Sequence, residues 1–204
     1  MKFTAKLSIM LSLLAGVCLV PTPVPAEDQY WVVNVQPASI LVGLKTGDFQ
    51  VMLADGRTAG PTTLSTMPNI AAGVGFGLEK MDVEVTAGAG LVINGSFLSY
   101  MLNAQGALYF RPSSAPSFTM GPHLGIIYFS APDWQGNAQA SFSGSAGIIG
   151  GFHVTLGDRI SYLFAVDYIK ASYKANFTGA VPPSGGNSLD MDGLAVQFGI
   201  HGQF

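Results

Sequence analysis

The stretch Leu194-Ala195-Val196-Gln197-Phe198-Gly199-Ile200-His201-Gly202-Gln203-Phe204 alternates residue by residue. Leu194, Val196, Phe198, Ile200 and Phe204 share one parity, and Ala195, Gln197, Gly199, His201 and Gln203 share the other. Successive side chains of a strand point to opposite faces, so a strand here has one bulky apolar face and one small or polar face. An edge strand of a soluble sandwich would alternate in the same way. What touches the bulky face has to be read from the rest of the chain.

The chain has 204 residues, 10% charged and 49% hydrophobic, with 26 Gly and a net charge of -3. The basic excess of a nucleic-acid binder is missing, and no nucleic-acid partner is expected. About a quarter of a typical soluble chain is charged, so this one has too few ionic side chains to coat an ordinary globule in water. At the N-terminus, Lys2 and Lys6 precede the apolar run Leu7 to Val20, and Val24-Pro25-Ala26 offers small residues to a signal peptidase. This pattern predicts a signal peptide over residues 1–26 with cleavage after Ala26. The apolar run, about fourteen residues, is shorter than the roughly twenty a membrane helix needs. Cys18 follows Leu14-Ala15-Gly16-Val17, a lipobox-like run spoiled by Val17. Cleavage after Ala26 would leave a mature chain without cysteine and so without disulfides.

From Ile70 onward the period-two pattern repeats. Ile70, Ala72, Val74, Phe76 and Leu78 oppose Ala71, Gly73, Gly75, Gly77 and Glu79; Val83, Val85, Ala87, Ala89 and Leu91 oppose Glu84, Thr86, Gly88 and Gly90. Further strands follow around Tyr100 to Phe110, Phe118 to Tyr128, Phe142 to Leu156, Ile160 to Tyr168 and Leu194 to Phe204. Pro122 is expected at a bulge or strand start, where it could flip the parity of His123. Residues 27–53 are the least regular, with a Pro37 break, and one strand is expected to end near Leu53. The count is about eight, and tight turns mostly alternate with longer loops. That is the pattern of an all-β, antiparallel, up-and-down transmembrane β-barrel, with residues 27–38 as an N-terminal periplasmic segment and 39–204 as the barrel.

The faces then choose between water and lipid. The bulky parity carries no charge in mid-strand, and Lys170 falls at a rim where a long side chain can snorkel. The other parity is mostly Gly, Ala, Ser, Thr, Asn and Gln, which suits a lumen better than a solvated exterior. Aromatic residues sort to strand ends: Phe110, Phe118, Phe152, Tyr162 and Phe204 at one side, Tyr100, Tyr128, Phe142 and Tyr168 at the other, as two interfacial girdles would.

On these residues the chain resembles the small eight-stranded outer-membrane barrels of the OmpA-like, OmpX-like and opacity-protein type. Its last strand is similar to the assembly signal of such barrels, with Gln197, Gly199 and Phe204 matching and Gly202 departing where a bulkier apolar residue is usual. The resemblance implies a bacterial outer-membrane location, contact with outer-membrane lipid, and recognition of the last strand by periplasmic chaperones and the barrel-assembly machinery. It implies no particular activity.

Glu79, Glu84, His123, His153, Asp167 and His201 fall on the inward parity and form a candidate polar lumen cluster. Imidazoles beside carboxylates could bind a metal or relay protons, but small barrels commonly fill their interior with such side chains, and neither a metal nor another cofactor is expected. Ten inward glycines suggest either a narrow wet passage or a lumen occupied by the segment Tyr30 to Val33. A third option is that glycine merely permits tight curvature. The expected role is structural, surface-exposed or narrow-pore, without catalysis. The alternatives are a lipid-modifying enzyme, for which Ser161 and His153 are the nearest pair, and an adhesin acting through loops 54–69, 130–141 and 171–190.

Overall fold

The alternation read from Asn69 onward is realised as seven long strands, and an eighth at the N-terminal side closes them into a ring. The computed structural model describes residues 29–45, 51–52, 58–59, 64–78, 81–94, 97–112, 117–130, 133–134, 140–177, 188–190 and 192–204. Residues 1–26, where a signal peptide is expected, Leu53 and Glu79 lie outside the described residues. The barrel strands are β1 (Gln29–Lys45), β2 (Asn69–Gly77), β3 (Met81–Asn94), β4 (Phe97–Phe110), β5 (Phe118–Phe129), β6 (Ser145–Gly157), β7 (Ile160–Lys170) and β8 (Asp192–Gln203). Each pairs antiparallel with its sequence neighbours, and β1 pairs with both β2 and β8, which completes a closed eight-stranded antiparallel barrel. Closure leaves the wall without a free edge. The seam is finished by Trp31 and Phe204, whose backbone N–H and C=O groups exchange hydrogen bonds of 2.8 and 2.9 Å.

The wall begins ten residues earlier than the sequence suggests, because residues 29–38 are part of β1 and not a separate segment. The reason is a bulge at Pro37. Pairing with β8 shifts register between Val35 and Ala38. Before the shift the even residues Tyr30, Val32 and Asn34 face inward; after it Ser39 and Leu41 do. An extra residue flips the parity of everything beyond it, and proline, which lacks an N–H, is tolerated there. The same shift overturns the idea that Tyr30 to Val33 plugs the lumen as a separate segment. That stretch is wall, and Trp31 points outward. Part of the expected loop 54–69 is also sheet, since Leu64–Thr66 pairs with Ile40 to Val42.

Pro122 also departs from expectation, in the opposite sense. It sits inside β5 with no bulge: pairing to β6 runs unbroken through Phe152↔Pro122, and His123 keeps its inward parity. On the β4 side the ladder lapses between Ala107↔His123 and Phe110↔Met120 without a change of register. Pro122 has no N–H to give the Leu108 carbonyl, which accounts for the gap. Pro122→Ala is expected to restore that bond and raise unfolding stability by about 1 kcal/mol, readable as a shift in denaturant midpoint.

Paired residues climb around the ring. Following Val32, Gly73, Thr86, Gln105, Gly125, Ile149, Ile169, Gly193 and Gly43 in turn leads back to β1 well above the starting point. This stagger is the strand tilt that barrel closure demands. Beyond the end remote from the termini, Ala140–Phe142, Ser172–Phe177 and Ser188–Asp190 extend the wall as a small three-stranded sheet.

Side chains divide cleanly between the two faces. Outward ones are bulky and uncovered: Tyr162 is 76% exposed, Leu124 68%, Ile126 67%. Of the residues assigned to girdles, Tyr100, Tyr168, Phe110, Tyr162 and Phe204 are exposed near strand ends, but Phe152 stands mid-strand and belongs to neither belt. The Phe142 side chain lies outside the described part.

Candidate functional site

The lumen is two layers, not one. Toward the end remote from the termini, the inward positions hold Leu41, Val92, Met101, Ile127, Phe129, Ile149 and Ile169, all buried, with Met67 beside them. The expectation that the inward parity is small and polar fails for this layer. At these strand ends the lining is an apolar plug, each side chain contributing about 1.5–3 kcal/mol relative to exposure. Toward the termini the lining is polar and interconnected.

The polar layer is built around two carboxylates. Glu84 on β3 accepts a hydrogen bond from the Tyr30 hydroxyl at 3.0 Å and another from Gln203 Nε2 at 3.2 Å. Gln203 also donates to the Tyr30 hydroxyl at 3.3 Å. His201 places Nε2 3.4 Å from Glu84 Oε1, while its Nδ1 is 2.7 Å from Asn34 Oδ1. Because an amide oxygen only accepts, Nδ1 carries the proton in that contact. Asp167 on β7 is the second centre. Its Oδ1 is 2.5 Å from His123 Nε2, and its other oxygen accepts a hydrogen bond from Gln197. His123 Nδ1 in turn meets His153 Nδ1 at 3.3 Å.

Tyr109 joins the two centres. Its ring lies 4.0 Å from that of His153 and stacks 5.1 Å from that of His201. Below, buried Asp82 is held by half-exposed Arg111. Within the polar layer a cavity of about 30 Å³, bordered by Asn34, Glu84, Tyr109, His123 and His153 among others, has room for about two waters.

Glycine makes these contacts geometrically available. Tyr30 pairs with Gly75, and Gly75 with Glu84, so the tyrosine reaches its carboxylate across a residue with no side chain. A Cβ on Gly75 would run into the Tyr30 ring. His123, Gly151 and Asp167 repeat the arrangement on β5, β6 and β7, and a Cβ on Gly151 would meet the Asp167 carboxylate. At these two positions the glycines clear room for polar neighbours, which fill the space that the sequence left open for a wet passage.

The structure therefore places Glu84, His123, His153, Asp167 and His201 in one network, and Glu79 lies outside the described residues. Sequence reading missed Tyr30, Asn34, Asp82, Tyr109, Gln203 and Arg111 as members. Tyr109 and Gln203 carried a usable signal, polar groups on the inward parity of clear strands. Tyr30 and Asn34 did not, because the Pro37 bulge hid their parity. The Ser161 hydroxyl donates to the His201 backbone carbonyl at 3.4 Å and makes no pair with His153. Among the described residues, no three His, Cys, Asp or Glu side chains converge as a metal-ion cage. At the last strand, where Gly202 departs from the bulky-residue pattern, the Phe204 ring lies 2.8 Å from where a Cβ on Gly202 would stand.

No family model matches the chain, and no curated protein matches it in sequence. Solved structures match by shape. The outer membrane protein OprG from Pseudomonas aeruginosa is 14% identical, with 87% of this chain and 97% of that chain covered at a TM-score of 0.51. Neisserial surface protein A is 14% identical, covering 86% and 97%, at 0.40. AlkL, solved in lipid bilayers, is 16% identical, covering 91% and 97%, at 0.48. At such identity the likeness to OprG is one of fold.

Proposed function

We propose that this chain is an integral outer-membrane barrel of a Gram-negative bacterium, of the small OmpA-like, OmpX-like or opacity-protein kind, with a structural or surface-exposed role and a lumen closed to free passage. One observation carries the location: the outward face of the barrel is an uncovered apolar band, from Trp31 and Ile70 through Leu124 and Ile126 to Tyr162 and Phe198. Contiguous apolar surface on that scale is too large for a soluble monomer and matches what acyl chains cover. Export through residues 1–26, and assembly through Gln197, Gly199 and Phe204, complete the reading. Its partners are outer-membrane lipid, the periplasmic chaperones and the barrel-assembly machinery. Loops 54–69, 130–141 and 171–190 are the parts available to a surface ligand.

The apolar plug weighs against the narrow-pore alternative, and Ser161 turned away from His153 weighs against a lipid-modifying enzyme. Two measurements test the proposal. The purified chain is expected to need detergent and to migrate differently on a gel before and after boiling, and in planar bilayers it is expected to stay at baseline conductance. A folded monomer in plain buffer would end the membrane reading, and steady unitary conductance would end the closed-lumen one.

A further inference from the structure

Two imidazoles in the polar layer meet end to end. The ring centroids of His123 and His153 are 5.5 Å apart and their Nδ1 atoms 3.3 Å apart. The difference is close to two centroid-to-nitrogen distances, so the two nitrogen axes lie nearly on one line. A tetrahedral zinc or an oxygen-ligated divalent ion needs three or more donors converging on a point, and the described residues offer no such group. Two opposed, collinear imidazole nitrogens are instead the donor set of a linear, two-coordinate d¹⁰ monocation. Imidazole suits copper among the transition metals, and silver(I) shares the geometry of copper(I).

The surroundings prepare the pair for such an ion. Asp167 Oδ1 stands 2.5 Å from His123 Nε2, and its negative charge favours the proton of that ring on Nε2, with the Nδ1 lone pair turned to His153. A carboxylate behind a histidine is the usual outer support of a metal ligand, fixing both its tautomer and its orientation. Charge favours a cation as well: Asp82, Glu84 and Asp167 are all buried, and Arg111 is the lone guanidinium beside them among the described residues of the network. Buried carboxylates need a counter-charge.

We propose that His123 and His153 form a two-coordinate site for a soft d¹⁰ monocation, copper(I) or silver(I), with Asp167 positioning His123. Two metal–nitrogen bonds of about 2 Å in line need about 4 Å between the nitrogens, so each ring backs away by a few tenths of an ångström, and the proton that lies between the two Nδ1 atoms moves to His153 Nε2, which has no hydrogen-bond partner among the described residues. Both rings border the small cavity, which supplies that room. The proposal rests on the lumen alone and is independent of which membrane or loop ligand the barrel serves.

The test uses the folded full barrel in detergent, titrated anaerobically with silver(I), and with copper(I) against a chelating competitor. One equivalent is expected to bind, with X-ray absorption showing two nitrogen neighbours at about 2 Å. Asp167→Asn is expected to weaken binding about 10–100-fold, and His123→Ala or His153→Ala to weaken it further, with heat-modifiable migration as the check that each variant has folded. Met101→Leu, which removes a buried sulfur from the apolar plug, is expected to leave affinity unchanged. Absence of saturable binding by the unaltered protein overturns the site and leaves the two rings sharing a proton only. Sulfur neighbours in the absorption spectrum, from methionine, overturn it too. So does equal binding by folded His153→Ala.

Discussion

Leu124→Arg is expected to lower the stability of the bilayer-embedded barrel by about 2–4 kcal/mol, read as a fall in the denaturant midpoint in lipid vesicles. Leu124 stands in the middle of β5 and is 68% exposed. Its cross-strand neighbours are Gly106 on β4 and Gly150 on β6, so no adjacent side chain could pair with or shelter a guanidinium. Mid-strand, the arginine is also far from either rim, unlike Lys170, the last residue of β7. Lys170→Leu should therefore change stability by no more than about 0.5 kcal/mol. If water covered the outward face, Leu124→Arg would be as mild as Lys170→Leu. Equal, small effects at the two positions would remove the main support for a lipid-facing wall.

Most of the wall was legible because its period never slips. In β7, Ile160 to Lys170, exposure alternates at every residue, and the sequence shows the same alternation of Ile160, Tyr162, Phe164, Val166 and Tyr168 against Ser161, Ala165 and Asp167. The first strand was not legible because it contains one residue too many. Read as a single pattern, Gln29 to Lys45 has no parity; read as two patterns joined at Pro37, it has two clear ones. Leu64–Thr66 was hidden differently. Its proline-rich surroundings have turn chemistry, and only pairing with β1 makes it sheet. Pro122 shows that the same residue type need not have the same consequence: Pro37 sits at a bulge, while Pro122 gives up one hydrogen bond and keeps register.

The site was legible as a list and illegible as a network. Parity alone puts Glu84, His123, His153, Asp167 and His201 inside. Which of them touch depends on stagger, a property of the closed ring that no single strand encodes. His123 and Asp167 are on strands that are not neighbours, and they meet because β6 presents Gly151 between them. The sequence shows the glycine but not its alignment. Depth was also misread: Ile127, Ile149 and Ile169 share the inward parity with the polar residues, and only their position along the strands separates plug from network.

Removing the Asp167 carboxylate is where this alignment can be measured. In Asp167→Ala, His123 Nε2 loses the carboxylate oxygen 2.5 Å away and Gln197 loses its acceptor. Leaving buried donors without their acceptor typically costs about 1–3 kcal/mol each. That loss is expected in denaturant unfolding, with the gel shift on boiling retained at low denaturant. His123→Ala alone should also destabilise, yet the double variant should be less damaged than the two singles together, with a coupling of about 0.5–3 kcal/mol. Additive losses would mean that the two side chains act separately, and Gly151 would then have no part in joining them.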